Sequence, residues 1–426
     1  MSAHERERLL ARDAAHVWHP YTQHGLETDF LPVAGAKDAT LTLTDGRTVV
    51  DGISSWWACL HGHSHPRMVA AIAEQLGTLD HVLFGGATHE PAVRLAEELV
   101  AIAPQGLNRV FYSDNGSTAI EVALKMVVQS WLYRGEPARR VFVALEGGYH
   151  GDTFGAMAVS DPDPFFLPFA DMFFEVRRVP PDAAALRAAF DELGGRAAGF
   201  ICEPLVQAAG GMVMQAPDFL REVRSACDDA GVPWIADEVM TGFGRTGAMF
   251  ACDRANVSPD YLCLAKGLTG GNFPLSVTLA REETFEAFKS DDRGRAFFHG
   301  HTFTANPVGC AAGLASLAIC RDEHTPLRLE AIGARIEARL ATHFGDRATE
   351  RKLRRTGGIV AFDMLTDESG YLASAAPRLR ALAVEHGVLL RPLGNVLYAM
   401  PPACTSTTEC DLIVEALIAL DAFAPA

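Results

Sequence analysis

From Arg109 to Leu264 the sequence alternates short apolar runs with longer amphipathic segments, and few folds accommodate that order. The runs are Val110-Phe111-Tyr112, Val141 to Leu145, Phe200-Ile201-Cys202, Trp234-Ile235-Ala236 and Tyr261 to Leu264. Each has the length and the bounding residues of a buried strand. Helical patterns lie between them, at Ile120 to Leu132, Asp182 to Leu193 and Asp218 to Ala230. Strands joined through helices pair in parallel, because the helix carries the chain back to the starting edge. A largely parallel sheet covered on both faces follows, and the fold class is α/β.

The flanks read differently. Thr40 to Leu43 and Thr48 to Asp51, split by Asp45-Gly46, form a small hairpin at the edge of a domain. Pro66 and Pro91 each open a helix, the second with Leu95, Leu99 and Ile102 on one face. Beyond Pro307 come an alanine- and leucine-rich helix through Cys320 and another over Leu327 to Phe344. An apolar run, Gly357 to Phe362, and a last helix, Thr408 to Phe423, follow. This texture predicts a small α+β domain built from both chain ends, residues 1–60 and 325–426, against a large domain over 61–324.

Composition excludes several functions. A net charge of -16 with no basic run disfavours nucleic acid, because nothing would offset phosphate repulsion. Nine scattered cysteines, none spaced Cys-x-x-Cys, predict reduced thiols rather than a disulfide framework. Met1 to Arg12 lacks the apolar centre of a secretory signal, and no stretch reaches the roughly 20 apolar residues of a membrane span. A soluble, cytoplasmic protein is expected. His61, His63 and His65, and again His299 and His301, alternate in a way that invites a metal. With no carboxylate or cysteine ligand read beside them, they are taken as structural, and no metal site is expected.

The chemistry concentrates between Trp234 and Lys266. One strand ends on Asp237 and Glu238, a glycine-rich turn from Gly242 to Gly247 follows, and the next strand ends before Lys266. Ligands of open α/β sheets sit outside the carboxyl ends of the strands, so Asp237 and Lys266 can face one ligand. A pyridine cofactor held as a Schiff base needs that pair, a lysine for the imine and an acid beside the ring nitrogen.

Other loops can complete such a site. Asn115-Gly116-Ser117-Thr118 lies between a strand and a helix, and Thr118-x-x-Glu121 fits a capping box. Either this is an ordinary capped helix or its free N–H groups bind phosphate; beside Asp237 and Lys266, phosphate is favoured. Tyr149 is either a half-exposed turn aromatic or a platform for a flat ring, and Asp152 can orient its neighbours. Glu203 suits a supporting carboxylate or a structural salt bridge. Thr302 offers a hydroxyl to phosphate, and Arg391 is either a surface ion pair or a carboxylate clamp.

These residues together resemble class III aminotransferases, which are fold-type I pyridoxal phosphate enzymes. The likeness rests on Asp237-Glu238-Val239-x-Thr241-Gly242-Phe243-Gly244-Arg245-Thr246-Gly247 followed by Lys266, and it extends from about Trp18 to Pro402. Within that family, Trp18 to Thr22, Ser54-Ser55-Trp56-Trp57 and the block Arg391 to Pro402 are similar to the diaminopelargonate synthases of biotin biosynthesis. The resemblance implies amino transfer from S-adenosylmethionine to 8-amino-7-oxononanoate in a homodimer with shared active sites. It implies catalytic roles for Lys266, Asp237 and Tyr21. Asn115, Gly116, Ser117, Tyr149, Asp237 and Lys266 would bind pyridoxal phosphate, with Thr302 contributed by a neighbouring subunit. Tyr21, Trp56, Trp57, Tyr149, Lys266, Gly300, Arg391 and Tyr398 would line the substrate site. Aromatic faces there suit a sulfonium donor, at ~0.5–2 kcal/mol per contact, though core packing explains the tryptophans equally well. His301 stands where many members have proline, so lysine stays open as donor. Another class III ω-amino acid transaminase and a silent scaffold of the same fold are the competing readings.

Overall fold

A seven-stranded sheet carries the centre of the molecule. Its order is Leu107–Ser113, Ser276–Arg281, Tyr261–Leu264, Trp234–Asp237, Ala197–Cys202, Val141–Leu145 and Val176–Val179. The computed structural model describes residues 2–26, 30–366 and 376–423. The five strands expected from the apolar runs are all present, and those over 141–145, 197–202, 234–237 and 261–264 run parallel. Ser276–Arg281 was not foreseen. It pairs antiparallel with both Tyr261–Leu264 and Leu107–Ser113. Only a short helical turn, Lys266–Thr269, and a few loop residues separate it from the strand before, too short a link for a parallel crossover.

Successive side chains along these strands alternate between two cores. Ile235, Tyr261 and Cys263 pack under the helix Gly116–Tyr133, against Ile120, Ala123 and Val127. Trp234, Ala236, Leu262 and Leu264 belong to the opposite core, which also holds Leu186, Phe190, Leu220 and Val223. Those four residues lie on the helices Ala183–Leu193 and Pro217–Ala230. Burial on both faces is why the strands read as continuous apolar runs.

Two smaller sheets draw on the chain ends. Val33–Lys37, Thr40–Leu43 and Thr48–Asp51 form a meander that Val388–Leu389 extends in parallel. The expected hairpin is therefore interior to its sheet, because a strand joins it on either side. Arg354–Thr356, Ile359–Asp363 and Val396–Ala399 make a three-stranded antiparallel sheet. No helix of the described residues is long and apolar enough to cross a membrane.

The two adjacent acids at the end of Trp234–Asp237 part company in the fold. Glu238 is fully buried and turns away from its neighbour. It accepts hydrogen bonds from Ala251 N–H (2.7 Å), Cys252 N–H (2.9 Å) and the Thr241 hydroxyl (3.1 Å), and so closes the glycine-rich loop onto the helix Ala251–Ala255. Burial pushes its pKa up to about 7 against the pull of those donors. The folded-state pKa exceeds the ordinary 4.5, so the folded chain holds this proton more tightly. That contribution to stability is fully present below 4.5 and is lost as pH rises through about 7. Glu238→Gln should flatten the dependence of unfolding free energy on pH across that window. Glu238→Ala should cost about 1–3 kcal/mol by leaving buried N–H groups unpaired. Denaturant titrations at several pH values measure both.

Candidate active site

Parallel register brings the acid and the amine together. Asp237 pairs with Cys263 on the neighbouring strand, so Lys266, just past the end of that strand, emerges at the same edge of the sheet. Lys266 itself adopts a left-handed conformation (φ 45°) that opens the turn Lys266–Thr269. Such a conformation costs a non-glycine residue energy and is retained where surrounding structure fixes it. Lys266 keeps some exposure to a cavity, yet dense packing around its amine lowers the pKa. Asp237 and Glu203 pull the other way.

Asp237 is 5% exposed. Its Oδ2 lies 2.7 Å from His150 Nδ1, and its Oδ1 accepts from Val239 N–H at 3.1 Å. The His150 side chain is fully buried, and its Nε2 has no partner among the described residues, so the ring is committed to Asp237. Glu203 accepts from Tyr149 N–H and Ala208 N–H, both at 3.0 Å, and fixes the loop that carries Tyr149 and His150. Its pKa is pushed up to about 7, chiefly by burial; the nearby His150 opposes this and Asp237 adds to it.

Asn115 caps the helix Gly116–Tyr133, accepting from Thr118 N–H at 3.1 Å. The expected box between Thr118 and Glu121 is not formed. Glu121 instead accepts from Gly155 and Ala156 N–H and starts the helix Phe154–Val159, so the cap falls three residues earlier. A Cβ on Gly116 would come within 2.6 Å of Val239 Cγ1, so only glycine fits beneath that side chain. Ser117 Oγ accepts from Thr153 N–H at 3.0 Å. Asn115, Gly116, Ser117, Tyr149, Asp237, Lys266 and Trp57 line one cavity of about 660 Å³.

An aromatic group forms its approach. The Tyr21 hydroxyl donates to Asp152 Oδ1 at 2.6 Å, and Tyr149 donates to the same oxygen at 3.0 Å. Burial, with Tyr21 and Asp152 adding to it, raises the Tyr149 pKa well above the phenol range. Tyr21 meets Trp56 edge-on with centroids 5.5 Å apart. The Arg391 guanidinium sits 4.5 Å from the centroid of Trp56, and Lys266 Nζ sits 4.9 Å from that of Trp57. The tryptophan rings therefore already face a guanidinium and an amine of the chain itself. Trp57 Nε1 donates to the hydroxyl of the buried Tyr398 at 2.9 Å.

Both tryptophans belong to an unusual turn. Ser54, Ser55, Trp56 and Trp57 all have positive φ, between 44° and 72°. Left-handed helical backbone costs roughly 1–2 kcal/mol per L-residue. Asp51 offsets this by accepting from Ser55 N–H (2.9 Å) and Ser55 Oγ–H (2.7 Å), while Ser54 Oγ–H donates to Met400 O (2.7 Å). The fully buried Arg245 donates to the carbonyls of Trp57, Cys59 and Pro401, and burial pulls its pKa down to about 10.

Gly300 and Thr302 are exposed and do not line this cavity within the single chain. Their neighbour His301 does approach it, with Nδ1 2.9 Å from Oδ2 of Asp114, a lining residue. The reading of the alternating histidines needs correction. His63 has both a carboxylate and a cysteine beside it, Asp51 at 2.9 Å and Cys59 at 3.3 Å. Folding brings Asp51 across from twelve residues away, beyond any local ligand spacing. His61 contacts Ser316, and His65 contacts Glu323. Among the described residues no group of three or more ligand-type side chains is arranged to hold a metal. The sequence reading also missed His150, Asp51 and Arg245 as supports; only the His150 position, beside Tyr149 at a strand end, gave any local signal.

The cavity fits pyridoxal phosphate. It offers a buried acid for the ring nitrogen, a lysine amine for the aldehyde, and a capped helix N-terminus under a close-packed glycine for the phosphate. Comparison with known proteins agrees. The pattern of the family Aminotransferase class-III matches residues 21–420. An adenosylmethionine-8-amino-7-oxononanoate aminotransferase from Synechococcus elongatus is 48% identical, covering 94% of this chain and 97% of its own. One of that name from Mycobacterium leprae is 39% identical over 97% of this chain and 96% of its own. The crystal structure of the Methanocaldococcus jannaschii aminotransferase of that name superposes with a TM-score of 0.90 at 31% identity, covering 97% and 99% of the two chains. A pyridoxal phosphate-bound amine transaminase from an uncultivated Pseudomonas species reaches 0.89 at 31% identity, covering 96% and 99%. The chain belongs to the class III aminotransferases and is a pyridoxal phosphate-dependent enzyme of fold type I.

His150→Phe would leave Asp237 with a single backbone donor. A charge-assisted hydrogen bond contributes about 1.5–3 kcal/mol, so cofactor affinity or kcat/KM should fall by about 10- to 100-fold. Spectroscopic titration of the apoenzyme and steady-state kinetics separate the two.

Proposed function

We propose that this enzyme converts 8-amino-7-oxononanoate to 7,8-diaminononanoate in biotin biosynthesis, with S-adenosylmethionine as amino donor. The observation that carries this is the convergence of Tyr21, Trp56, Trp57, Arg391 and Tyr398 on the approach to Lys266. Relatives that cover nearly the whole chain and bear the matching name support the same substrate pair.

Bound pyridoxal phosphate supplies the electron sink that makes the carbon bearing the amino group acidic. The residues would act around that capacity. Asn115, Gly116 and Ser117 would hold the phosphate, Tyr149 would cover the ring, and Asp237, oriented by His150, would keep the ring nitrogen protonated. Lys266 would take the proton from the donor's α-carbon and deliver it elsewhere on the same face. Burial favours its neutral, basic form, which that task requires. Tyr21, fixed by Asp152, would present its hydroxyl at the substrate side. Arg391, stacked on Trp56, would clamp the carboxylate of the oxononanoate, with Trp57 and Tyr398 shaping the wall between. Gly300 and Thr302 would act on the cavity of a neighbouring subunit, which makes the working unit a homodimer. A cytoplasmic location belongs to the same reading.

Half-reactions test the donor. S-adenosylmethionine alone should bleach the visible band of the lysine-bound cofactor, and 8-amino-7-oxononanoate should then restore it. A response to lysine and none to S-adenosylmethionine would replace the donor and leave the acceptor standing. Failure of the chain to restore growth to a biotin auxotroph lacking this step would remove the acceptor as well. Arg391→Ala should raise KM for the oxononanoate by about 10- to 100-fold, the loss expected for a charged hydrogen-bonded contact, with kcat changed far less.

A further inference from the structure

Cys59 lies two residues beyond Trp57 and plays no part in the transamination described above. Its Sγ is 3.3 Å from His63 Nδ1, and His63 Nε2 is 2.9 Å from Oδ2 of Asp51. The order thiol, imidazole, carboxylate turns one ring nitrogen toward sulfur and the other toward a carboxylate with no solvent exposure. The His63 backbone is held to Asp38 by two hydrogen bonds, 2.7 and 3.0 Å long, so the ring is fixed from both ends. Other titratable groups close by are Arg245, whose guanidinium donates to Cys59 O, and Cys404, whose Sγ packs against Gly62.

A second cysteine–histidine contact in the same protein shows what the carboxylate adds. Cys320 Sγ lies 3.9 Å from His61 Nε2, but the other nitrogen of His61 has no partner. Burial pulls the His61 pKa down to about 3, so that ring is neutral, and the Cys320 thiol is pushed up to about 12. His63, bonded first to Asp51 and then to Cys59, is raised to about 10 and is a cation at neutral pH. His63 therefore sets a charged ring beside the Cys59 sulfur, which the neutral His61 does not do for Cys320. Access also differs. Cys59 is 7% exposed, against 2% or less for the other buried cysteines.

We infer that Cys59, His63 and Asp51 form a peroxide-sensitive thiol site beside the cofactor cavity, at which Cys59 is oxidised to a sulfenic acid. The thiolate attacks one oxygen of the peroxide, the S–O bond forms as the O–O bond breaks, and the departing hydroxide takes a proton from His63 to leave as water. Sulfur loses two electrons and the peroxide gains them. Asp51 also holds the left-handed turn through Ser55, so the site shares its buried carboxylate with the segment that positions Trp56 and Trp57.

Pulse alkylation of the holoenzyme with iodoacetamide, read by peptide mass spectrometry, tests this. Cys59 should react ahead of the more exposed Cys404, whose thiol burial pushes up to about 12. Hydrogen peroxide followed by dimedone should then tag Cys59, and His63→Asn should abolish the tag. Since His63→Asn also strips a partner from buried Asp51 and can unfold the chain, the order of alkylation in the unaltered enzyme decides independently. Cys404 reacting first, or no dimedone adduct at Cys59, would each overturn the assignment.

Discussion

The register between Trp234–Asp237 and Tyr261–Leu264 is the constraint on which the rest depends. Parallel pairing sets Asp237 opposite Cys263, and this places Lys266 at the same edge of the sheet. A slip of one residue would turn Asp237 into one of the two cores and leave a charge among apolar side chains. The glycine-rich segment between the strands must therefore fold back without disturbing them. Glu238 secures that return by tying it to Ala251 and Cys252 from inside the protein. Two adjacent carboxylates thus do unrelated work, one facing the cavity and one facing backbone, because successive residues at a strand end point in opposite directions.

A second organising element comes from the far end of the chain. The turn Ser54 to Trp57 is held in left-handed backbone by contacts with Asp51, Met400 and Tyr398. Arg245 of the glycine-rich loop reaches the same turn and Pro401. The glycine-rich loop and the left-handed turn beside the cavity are consequently joined through buried hydrogen bonds. Asp51 bonds both that turn and His63, and this connects the Cys59–His63 pair to the turn.

Much of the fold was legible. The strands over 141–145 and 261–264 begin and end where the apolar runs do, since strands buried on both faces leave no ambiguity of period. The antiparallel strand Ser276–Arg281 was not, as no helix announces it and its neighbour was expected to be reached by a crossover. The cap at Asn115 was misplaced because Thr118 and Glu121 satisfy a local rule that tertiary structure overrides, Glu121 being drawn to Gly155. His63 was read without its partners because Asp51 approaches it only through the fold of the meander.

The sequence by itself determined where the residues proposed to hold the cofactor lie along the chain. Asp237 ends a strand, Gly116 begins a helix, Lys266 begins a helical turn and Tyr149 lies in the loop that follows Leu145, positions that local pattern and residue type mark. Tertiary structure alone decided what surrounds them. It placed His150 behind Asp237, set Arg391 on Trp56 and Lys266 above Trp57, and gathered Cys59, His63 and Asp51. Those contacts join segments that are not neighbours along the chain, and their energies depend on burial and on charges brought close by packing. No spacing rule encodes either quantity, so they became visible only once the strands were paired and the cores filled.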